Sequence, residues 1–385
     1  MLRILHVITT INLGGAENHL FNLVKKQHEK GLDVEVVYLK GDHFWRQKLE
    51  ELGIRCHCLN IDSYLKIPLK TSELRNLILT FEPHIVHSHM PPAELLCTLC
   101  FKRYPRLRKS FKYICTKHND ERFAPIPGEK WLGQFCFKDL DGLISISNAV
   151  QDFATSQFHF SEEQISKRIY YGVDTSHFLD ASQERVAHLK KSLKHESDFL
   201  IGTVARLTAQ KSLETLIKST AILRDRFDTK VRLVIVGEGE LREQLESLVS
   251  DLKLESQVDM PGKKDNISEY MHAFDIFALP SIYEGLGLVL LEAQACGTPI
   301  VASKVSAIPE IVKEHAGILV EPKNENALAL SLKQALDNLD QYDKSLIINE
   351  TRKRFSLDVN QQETFEFYNQ VINMKPACKG QYVRD

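Results

Sequence analysis

The chain lacks an excess of charge of either sign, and it lacks long apolar runs. Its 385 residues include 49 lysines and arginines against 51 aspartates and glutamates, a net charge of −2. This balance argues against a nucleic-acid partner. No apolar stretch approaches the roughly 18 residues of a membrane-spanning helix. The start, Met1–Leu5, lacks the small-residue cleavage site of a signal peptide, so we expect a cytoplasmic protein.

The glycine fingerprint of dinucleotide-binding proteins is also missing. Gly14-Gly15 and Gly237-Glu238-Gly239 are glycine-rich turns, but neither has the G-x-G-x-x-G spacing. Hydride transfer with a nicotinamide cofactor is therefore disfavoured.

The cysteines fit a zinc or disulfide site poorly. Cys56 and Cys58 alternate in a β-rich run with Ile54, and Cys97 and Cys100 lie three apart on a predicted helix. The four together could imitate a zinc set. Because both pairs lie inside regular elements, we interpret them as small core residues that stay reduced.

Strand and helix patterns alternate along the whole chain. Such alternation is typical of a parallel sheet covered by helices. The β-rich runs are 3–9, 33–39, 54–61, 85–89, 111–116 and 142–147, then 199–205, 231–236, 258–260, 275–279, 299–302 and 317–320.

The cycle restarts near residue 199, which predicts an α/β chain of two doubly wound, Rossmann-like domains. We place the first domain at 1–171 and the second at 172–355. We expect the helix and tail at 356–385 to pack back on the first domain. Ligands bind such sheets at the carboxyl ends of their strands, so two facing sheets predict a cleft between the domains.

Special residues follow several of the predicted strands. Gly14 and Gly15 allow close backbone approach to a ligand at a helix start, although a plain turn would look the same. Arg206 and Lys211 follow a strand of the second half and suit a diphosphate; the alternative is that both are simply solvated.

Glu284 and Glu292 frame the strongest local signal, in a segment where a strand, two glycines and a very apolar helix follow one another. Eight residues of helix span about 12 Å, more than the roughly 5–9.5 Å between paired glycosidase carboxylates. The two glutamates therefore suit different parts of one long ligand. Glu292 lies in an apolar run, where a charge needs a partner; a purely structural carboxylate is the alternative.

In chain order these features resemble the nucleotide-sugar glycosyltransferases of family 4, which have the GT-B architecture. The resemblance covers essentially the whole chain, and its specific part runs from Glu284 to Pro299, a Glu-x7-Glu pattern followed by Gly-Thr-Pro. Supporting motifs are Gly14–Glu17, His84–His89, Thr116–Asn119, Ser145–Ser147, Gly172–Asp174 and Val236–Gly239.

The resemblance implies roles for individual residues. Arg206 and Lys211 would hold the donor diphosphate, Glu292 would accept from the ribose hydroxyls, and Glu284 would contact the donor sugar. Gly15 would let the first domain touch the phosphates, and His118 would lie beside the transferred sugar. The implied catalytic residues are Arg206, Lys211, Glu284 and His118, and the implied donor-binding residues are Gly14, Gly15, Gly237, Leu286, Gly287, Leu288 and Glu292.

The resemblance also implies the reaction. It indicates a metal-independent hexosyltransferase that retains anomeric configuration, needs no cofactor beyond its nucleotide-sugar, and uses a UDP-sugar. A glycan or lipid-linked acceptor in capsular polysaccharide, lipopolysaccharide or other cell-envelope assembly is implied. A nucleotide-sugar epimerase of the same fold and a non-catalytic sugar-nucleotide-binding protein are the alternatives.

Several positions depart from the family pattern. Ala205 and Ser212 stand where glycine is frequent, Tyr171 where asparagine is usual, and Leu286 where phenylalanine is common. These departures concern loop shape and sugar choice more than transfer itself.

Two further segments carry a hypothesis each. Asp139-Leu140-Asp141 has the spacing of a metal-binding D-x-D motif, but it joins a helix to a strand, so we interpret it as a turn. Residues 95–112 interleave apolar and basic side chains and predict peripheral contact with an anionic membrane, on the inner face of the cytoplasmic membrane. A solvated helix end and loop is the alternative.

Overall fold

A computed structural model describes residues 1–119, 129–162 and 164–374. The chain divides into two units: Met1–Gly172 together with the segment that begins at Asp358, and Val173–Leu357. Each unit is described by itself below.

The described part of the first unit contains a seven-stranded parallel sheet. Its strands are β1 (Arg3–Thr10), β2 (Asp33–Lys40), β3 (Arg55–Cys58), β4 (Ile85–His89), β5 (Lys112–Lys117), β6 (Gly142–Ser145) and β7 (Ile165–Arg168). Their order across the sheet is β3-β2-β1-β4-β5-β6-β7. The helices are α1 (Gly15–Glu29), α2 (Arg46–Glu51), α3 (Thr71–Phe81), α4 (Pro91–Arg103), α5 (Glu129–Phe137) and α6 (Asn148–Gln157), with 3₁₀ helices at Tyr64–Lys70 and Leu107–Lys109.

The second unit contains a six-stranded parallel sheet. Its strands are β8 (Phe199–Val204), β9 (Val231–Val236), β10 (Val258–Gly262), β11 (Ile276–Leu279), β12 (Ile300–Ser303) and β13 (Gly317–Val320), in the order β10-β9-β8-β11-β12-β13. The helices are α7 (Thr175–Leu179), α8 (Gln183–Lys194), α9 (Leu213–Phe227), α10 (Arg242–Asp251), α11 (Ile267–Ala273), α12 (Leu288–Ala295), α13 (Ile308–Ile311), α14 (Glu325–Asp337) and α15 (Lys344–Phe355), with 3₁₀ helices at Ala209–Lys211 and Leu339–Gln341. The last helix of the chain is α16 (Leu357–Asn373).

Apolar side chains bury both faces of the first sheet, as parallel sheets require. Because successive strand residues point to opposite faces, Leu5 and Val7 join one core cluster while Ile4 and Ile8 join the other. Phe367, a residue of α16, is buried in the second of these clusters.

The prediction of two Rossmann-like parallel-sheet domains is confirmed. All the predicted β-rich runs contain a strand, although 54–61 shortens to Arg55–Cys58. The sequence missed β7, because its four residues are all only partly buried and two of them are basic.

The described cysteines are free thiols. Cys56 packs in the cluster of Ile4, whereas Cys97 and Cys100 pack in the cluster of Leu5. The two pairs therefore do not come together in one site, and each fills core space as predicted.

Candidate active site

In the second sheet, the direction in which successive strands are added reverses between β8 and β11. The chain adds β9 and β10 on one side of β8, and then β11, β12 and β13 on the other. Loops that leave two such neighbouring strands in opposite directions open a crevice at their carboxyl ends, where α/β sheets bind ligands. Arg206 and Lys211 follow β8, and Glu284 follows β11, so the topology brings both loops to this point.

The two cations after β8 differ in their surroundings. Arg206 is exposed, and its guanidinium has no hydrogen bond or ion pair within the described residues. Lys211 ends the 3₁₀ helix Ala209–Lys211, and its Nζ lies 2.5 Å from Oε1 of Glu284. Arg206 is therefore the cation left free for a ligand.

Glu284 is buried and doubly bonded. Its Oε1 accepts from Lys211 Nζ and from Ser281 Oγ, the latter at 2.7 Å. The sequence treated Lys211 and Glu284 as separate ligand contacts, whereas the structure joins them as an ion pair. Gln210 holds the two loops together, because its Nε2 donates to the Tyr283 carbonyl at 2.9 Å and its carbonyl accepts from Ile282.

Glu292 lies on α12, eight residues after Glu284. In the part of the chain that the structure describes, its carboxylate has neither an ion pair nor a hydrogen bond. Burial raises the pKa of Glu292 to about 7, because desolvation disfavours the charged form. A carboxylate held this way without a protein partner suits a ligand that donates hydrogen bonds to it.

The residues between the glutamates shape the start of α12. Gly287 has φ +84° and precedes the first helical residue, Leu288. Leu286 is buried, whereas Leu288 is only partly buried. A helix start leaves its first amide groups without helical acceptors and favours anions.

Gly237 positions the loop that carries Arg206. It follows β9 with φ +141°, and a Cβ added there would lie 2.0 Å from the carbonyl oxygen of Ala205. Only glycine permits this backbone approach. Its role in the described structure is thus to let the β8 and β9 loops pack together.

The first sheet has its own change of direction between β1 and β4, and the glycine turn lies there. A Cβ added to Gly14 would lie 2.4 Å from Glu17 Oε2, whereas one added to Gly15 would meet no atom within 4 Å. The described residues therefore leave the space above Gly15 open.

His118 follows β5 in the same unit and is buried. Its Nε2 lies 3.1 Å from Nδ1 of His89, and its Nδ1 is hydrogen-bonded to the hydroxyl of Tyr171. Burial lowers the pKa of His118 to about 3, so the ring is neutral at physiological pH. His19, one turn after Gly15, stacks on Tyr171 with ring centroids 4.1 Å apart.

Sequence reasoning missed Ser281, Gln210 and His19. Ser281 lies two residues after the end of β11, so a polar residue just after a buried strand was the available signal there, whereas Gln210 lies in the 3₁₀ helix Ala209–Lys211 and carried none. His19 carried no signal, since a histidine on an amphipathic helix is usually a surface residue.

The D-x-D aspartates serve the protein's own fold. Asp139 pairs with Lys102 at 2.7 Å, and Asp141 pairs with Arg108 and accepts from the Tyr113 amide at 2.7 Å. The interpretation of this segment as a turn between α5 and β6 is confirmed.

Segment 95–112 turns its main apolar side chains into the protein core and not toward solvent. Leu95, Leu96, Phe101 and Leu107 are buried in the core cluster of Leu5, so they are not available to a membrane. No helix within the described residues combines the length and the hydropathy that crossing a bilayer requires.

A family model described as "Glycosyltransferase Family 4" matches residues 13–177, and one described as "Glycosyl transferases group 1" matches 184–354. The uncharacterized glycosyltransferase MJ1607 of Methanocaldococcus jannaschii is 32% identical over 241 residues, 60% of each chain. An Escherichia coli UDP-Gal:alpha-D-GlcNAc-diphosphoundecaprenol alpha-1,3-galactosyltransferase is 29% identical over 73% of each chain.

The fold is shared with solved structures. The crystal structure of Anabaena Alr3699/HepE in complex with UDP has a TM-score of 0.82 and 20% identity, over 96% of this chain and 100% of that one. With this likeness, the two Rossmann-like units define the GT-B fold. The chain belongs to glycosyltransferase family 4.

Proposed function

We propose that this chain is a retaining, metal-independent hexosyltransferase that takes its sugar from a UDP-sugar. The observation that carries the proposal is the group at the β8–β11 crevice: the Lys211–Glu284 pair together with Arg206 and Glu292, neither of which has a partner among the residues that the structure describes. This group offers cations for a diphosphate and separate carboxylates for hydroxyl groups.

Each part of the donor has a matching group. Arg206 and Lys211 bind the diphosphate, together with the amides at the start of α12 that follow Gly287. Glu292 accepts from the ribose hydroxyls. Glu284 has its Oε1 occupied by Lys211 and Ser281, so it meets the sugar through its second oxygen.

Cations fixed in place can do the work that a metal ion does elsewhere. They stabilise the diphosphate as it gains charge on departure, without rearranging at that moment. The ion pairs of Asp139 and Asp141 support this view, because neither aspartate is free to ligate a metal.

The first unit supplies Gly15 and His118. The open space above Gly15 admits a phosphate group close to the backbone. Neutral His118 lies beside the transferred sugar.

The acceptor is a glycan or a lipid-linked glycan of a cell-envelope or capsular polysaccharide. This proposal draws on the E. coli relative, whose name gives UDP-galactose as donor and a diphosphoundecaprenol-linked sugar as acceptor. A lipid diphosphate acceptor would place the enzyme at the cytoplasmic face of a membrane.

We propose that membrane contact uses the 3₁₀ helix Tyr64–Lys70 rather than the apolar residues of 95–112. Leu65 and Leu69 are 87% and 72% exposed, whereas the leucines of α4 are mostly buried. Arg103, at the end of α4, donates to Thr71 directly after the 3₁₀ helix, so its cation flanks this apolar surface. Apolar side chains beside cations suit an anionic bilayer.

The decisive experiment is a screen of nucleotide-sugars in EDTA, with and without lipid-linked and glycan acceptors. We expect nucleoside diphosphate release that depends on acceptor, and a product whose anomeric signal by proton NMR matches the donor. Conversion of the donor without acceptor would indicate the epimerase, and tight binding without turnover would indicate the non-catalytic protein. Loss of activity in EDTA that Mn²⁺ restores would contradict metal independence.

A further inference from the structure

The face of the first sheet that α1 and α16 cover contains a buried polar row. His6 stands between Ile4 and Ile8 on β1, and it pairs in register with His87 on β4. His89 lies two residues further and pairs with Thr116 on β5. All four are buried, although burying polar groups without hydrogen bonds is costly.

Hydrogen bonds link this row to His118 on one side. Tyr171 bonds to Nδ1 of His118, whose Nε2 lies 3.1 Å from Nδ1 of His89. Nε2 of His89 lies 3.1 Å from Nδ1 of His6.

The bonds continue to the last helix. Nε2 of His6 lies 2.8 Å from Oε1 of Gln27, whose Nε2 donates to the Tyr368 hydroxyl at 3.3 Å. The same hydroxyl lies 2.7 Å from Nδ1 of His87, and Nε2 of His87 lies 2.7 Å from Thr116 Oγ1. We call these eight residues the histidine chain: Tyr171, His118, His89, His6, Gln27, Tyr368, His87 and Thr116.

Donation along the histidine chain runs in a single direction, from Tyr171 to Thr116. Desolvation lowers the pKa of His6 to about 4 and of His118 to about 3, and it holds the pKa of His87 and His89 well below the ordinary value. Each ring is therefore neutral, with one N–H donor and one acceptor nitrogen.

Gln27 sets that direction. Its Oε1 can only accept, so Nε2 of His6 donates and Nδ1 of His6 accepts. Nδ1 of His6 therefore accepts from Nε2–H of His89, and Nδ1 of His89 accepts from Nε2–H of His118. Nδ1 of His118 in turn accepts from the Tyr171 hydroxyl. From its Nε2, Gln27 donates to Tyr368, which donates to His87. All four histidines then carry their proton on Nε2, and none can change tautomer alone.

Both nitrogens of His118 are consequently engaged by protein groups. A hydroxyl of the sugar can reach a ring nitrogen of His118 only by displacing one of its two partners, Tyr171 or His89. The far end of the chain is held by Tyr368 on α16, where the polypeptide has returned to that unit.

We propose that Gln27 and Tyr368 are positioning residues for transfer: through the histidine chain they fix the tautomer and the ring orientation of His118. The proposal rests on the proposed function, since it needs His118 beside the transferred sugar. A buried, fully satisfied network of this kind rigidifies its members, and displacement of a reacting group by about 1 Å costs about a hundredfold in rate.

The test compares Tyr368→Phe with Tyr38→Phe. Tyr38 is an equally buried residue of the same core, and its hydroxyl bonds to His43 instead of the chain. Long-range ¹H–¹⁵N NMR of ¹⁵N-histidine protein reports each tautomer directly. We expect His6, His87, His89 and His118 all to be Nε2–H tautomers in the wild type and in Tyr38→Phe, and mixed tautomers at His118 in Tyr368→Phe.

Kinetics should follow the spectra. Tyr368→Phe should lower kcat about tenfold with donor KM unchanged, and Gln27→Met, which interrupts the chain elsewhere, should do the same. A His118 tautomer and a kcat in both variants equal to those of Tyr38→Phe would overturn the proposal.

Two further results, bound zinc and a wild type without transfer activity, have different consequences for the proposal. Stoichiometric zinc in the purified protein would also overturn it, because nitrogens of His6, His87 and His89 lie within 4.8 Å of one another and metal ligation would break the chain. A wild type that transfers no sugar would refute the proposed function, while the NMR comparison would still decide whether the chain fixes His118.

Discussion

Arg206 is the cation at the β8–β11 crevice that no described residue pairs with. Negative charge on a departing diphosphate grows as the sugar leaves, so a free cation acts mainly in the transition state. We expect Arg206→Ala to lower kcat about 10²–10³-fold with a far smaller change in donor KM. Steady-state kinetics measure both, with Arg352→Ala, an exposed arginine of the same unit, as the matched control. An unchanged kcat with a raised KM would make Arg206 a simple binding residue.

Glu292 gives a second prediction, through its pKa of about 7. The free carboxyl is about half protonated near pH 7, and hydroxyl groups that donate to it favour the charged form. We therefore expect UDP binding to release about half a proton at pH 7, and to weaken as pH falls, by at most about tenfold per unit.

Calorimetry in buffers of different ionisation enthalpy measures that proton. UDP has its own titrating phosphate, so Glu292→Gln is the control: it should keep the ligand's contribution and lose the protein's. Identical proton release by the wild type and the variant would show that Glu292 does not meet the ligand.

At this scale the sequence predicted the residues but not their pairing. Arg206, Lys211, Glu284 and Glu292 were recognisable from motif order. The Lys211–Glu284 bond joins positions 73 residues apart, and it depends on β8 and β11 being neighbours, which no local pattern encodes.

The glycine turn before α1 allows a prediction at the scale of an element. A Cβ at Gly15 meets nothing, whereas one at Gly14 meets Glu17. We expect Gly15→Ala to keep or slightly raise the Tm, because alanine restricts the unfolded chain, while kcat/KM for the donor falls about tenfold.

Gly14→Ala is the matched comparison and should lower stability by about 1 kcal/mol. Thermal unfolding and kinetics of both variants separate the two effects. Full activity in Gly15→Ala would show that no ligand approaches this backbone.

The 3₁₀ helix Tyr64–Lys70 gives the membrane prediction. We expect sedimentation with anionic vesicles that weakens with salt, since charges are screened over roughly 8 Å at physiological ionic strength. Leu65→Ser with Leu69→Ser should abolish it, and Arg103→Ser, which removes the cation beside the 3₁₀ helix, should weaken it and reduce the salt dependence. Unchanged binding of the leucine variant, or none by the wild type, would favour a solvated segment.

Elements were predictable where their hydrophobic period was strong. Periodicity alone could not show that the leucines of 95–107 point into the core, because a helix buried on one side and a membrane-surface helix have the same pattern. Short polar elements such as β7 have no hydrophobic period to detect. β7 forms a strand because it pairs with β6.

At the scale of the whole molecule, alternation of strands and helices sufficed to predict two parallel sheets. The histidine chain was beyond prediction, because it joins His6 and Gln27 near the start of the chain to Tyr368 near its end. A single histidine in an apolar strand indicates only an isolated core residue. That these histidines contact one another follows from the register of β1, β4 and β5.

The most direct test of the donor site is calorimetry of free UDP and of the UDP-sugar found in the donor screen, in EDTA. We predict that the wild type binds both and that Glu292→Gln weakens the binding of both by at least about tenfold, since the variant loses hydrogen bonds to a charged group worth about 1.5–3 kcal/mol each. Glu284→Gln should weaken binding of the UDP-sugar only. Binding of UDP should be no weaker, because the variant removes the carboxylate that compensates the charge of Lys211. If Glu292→Gln binds UDP as tightly as the wild type does, the proposed donor site is wrong.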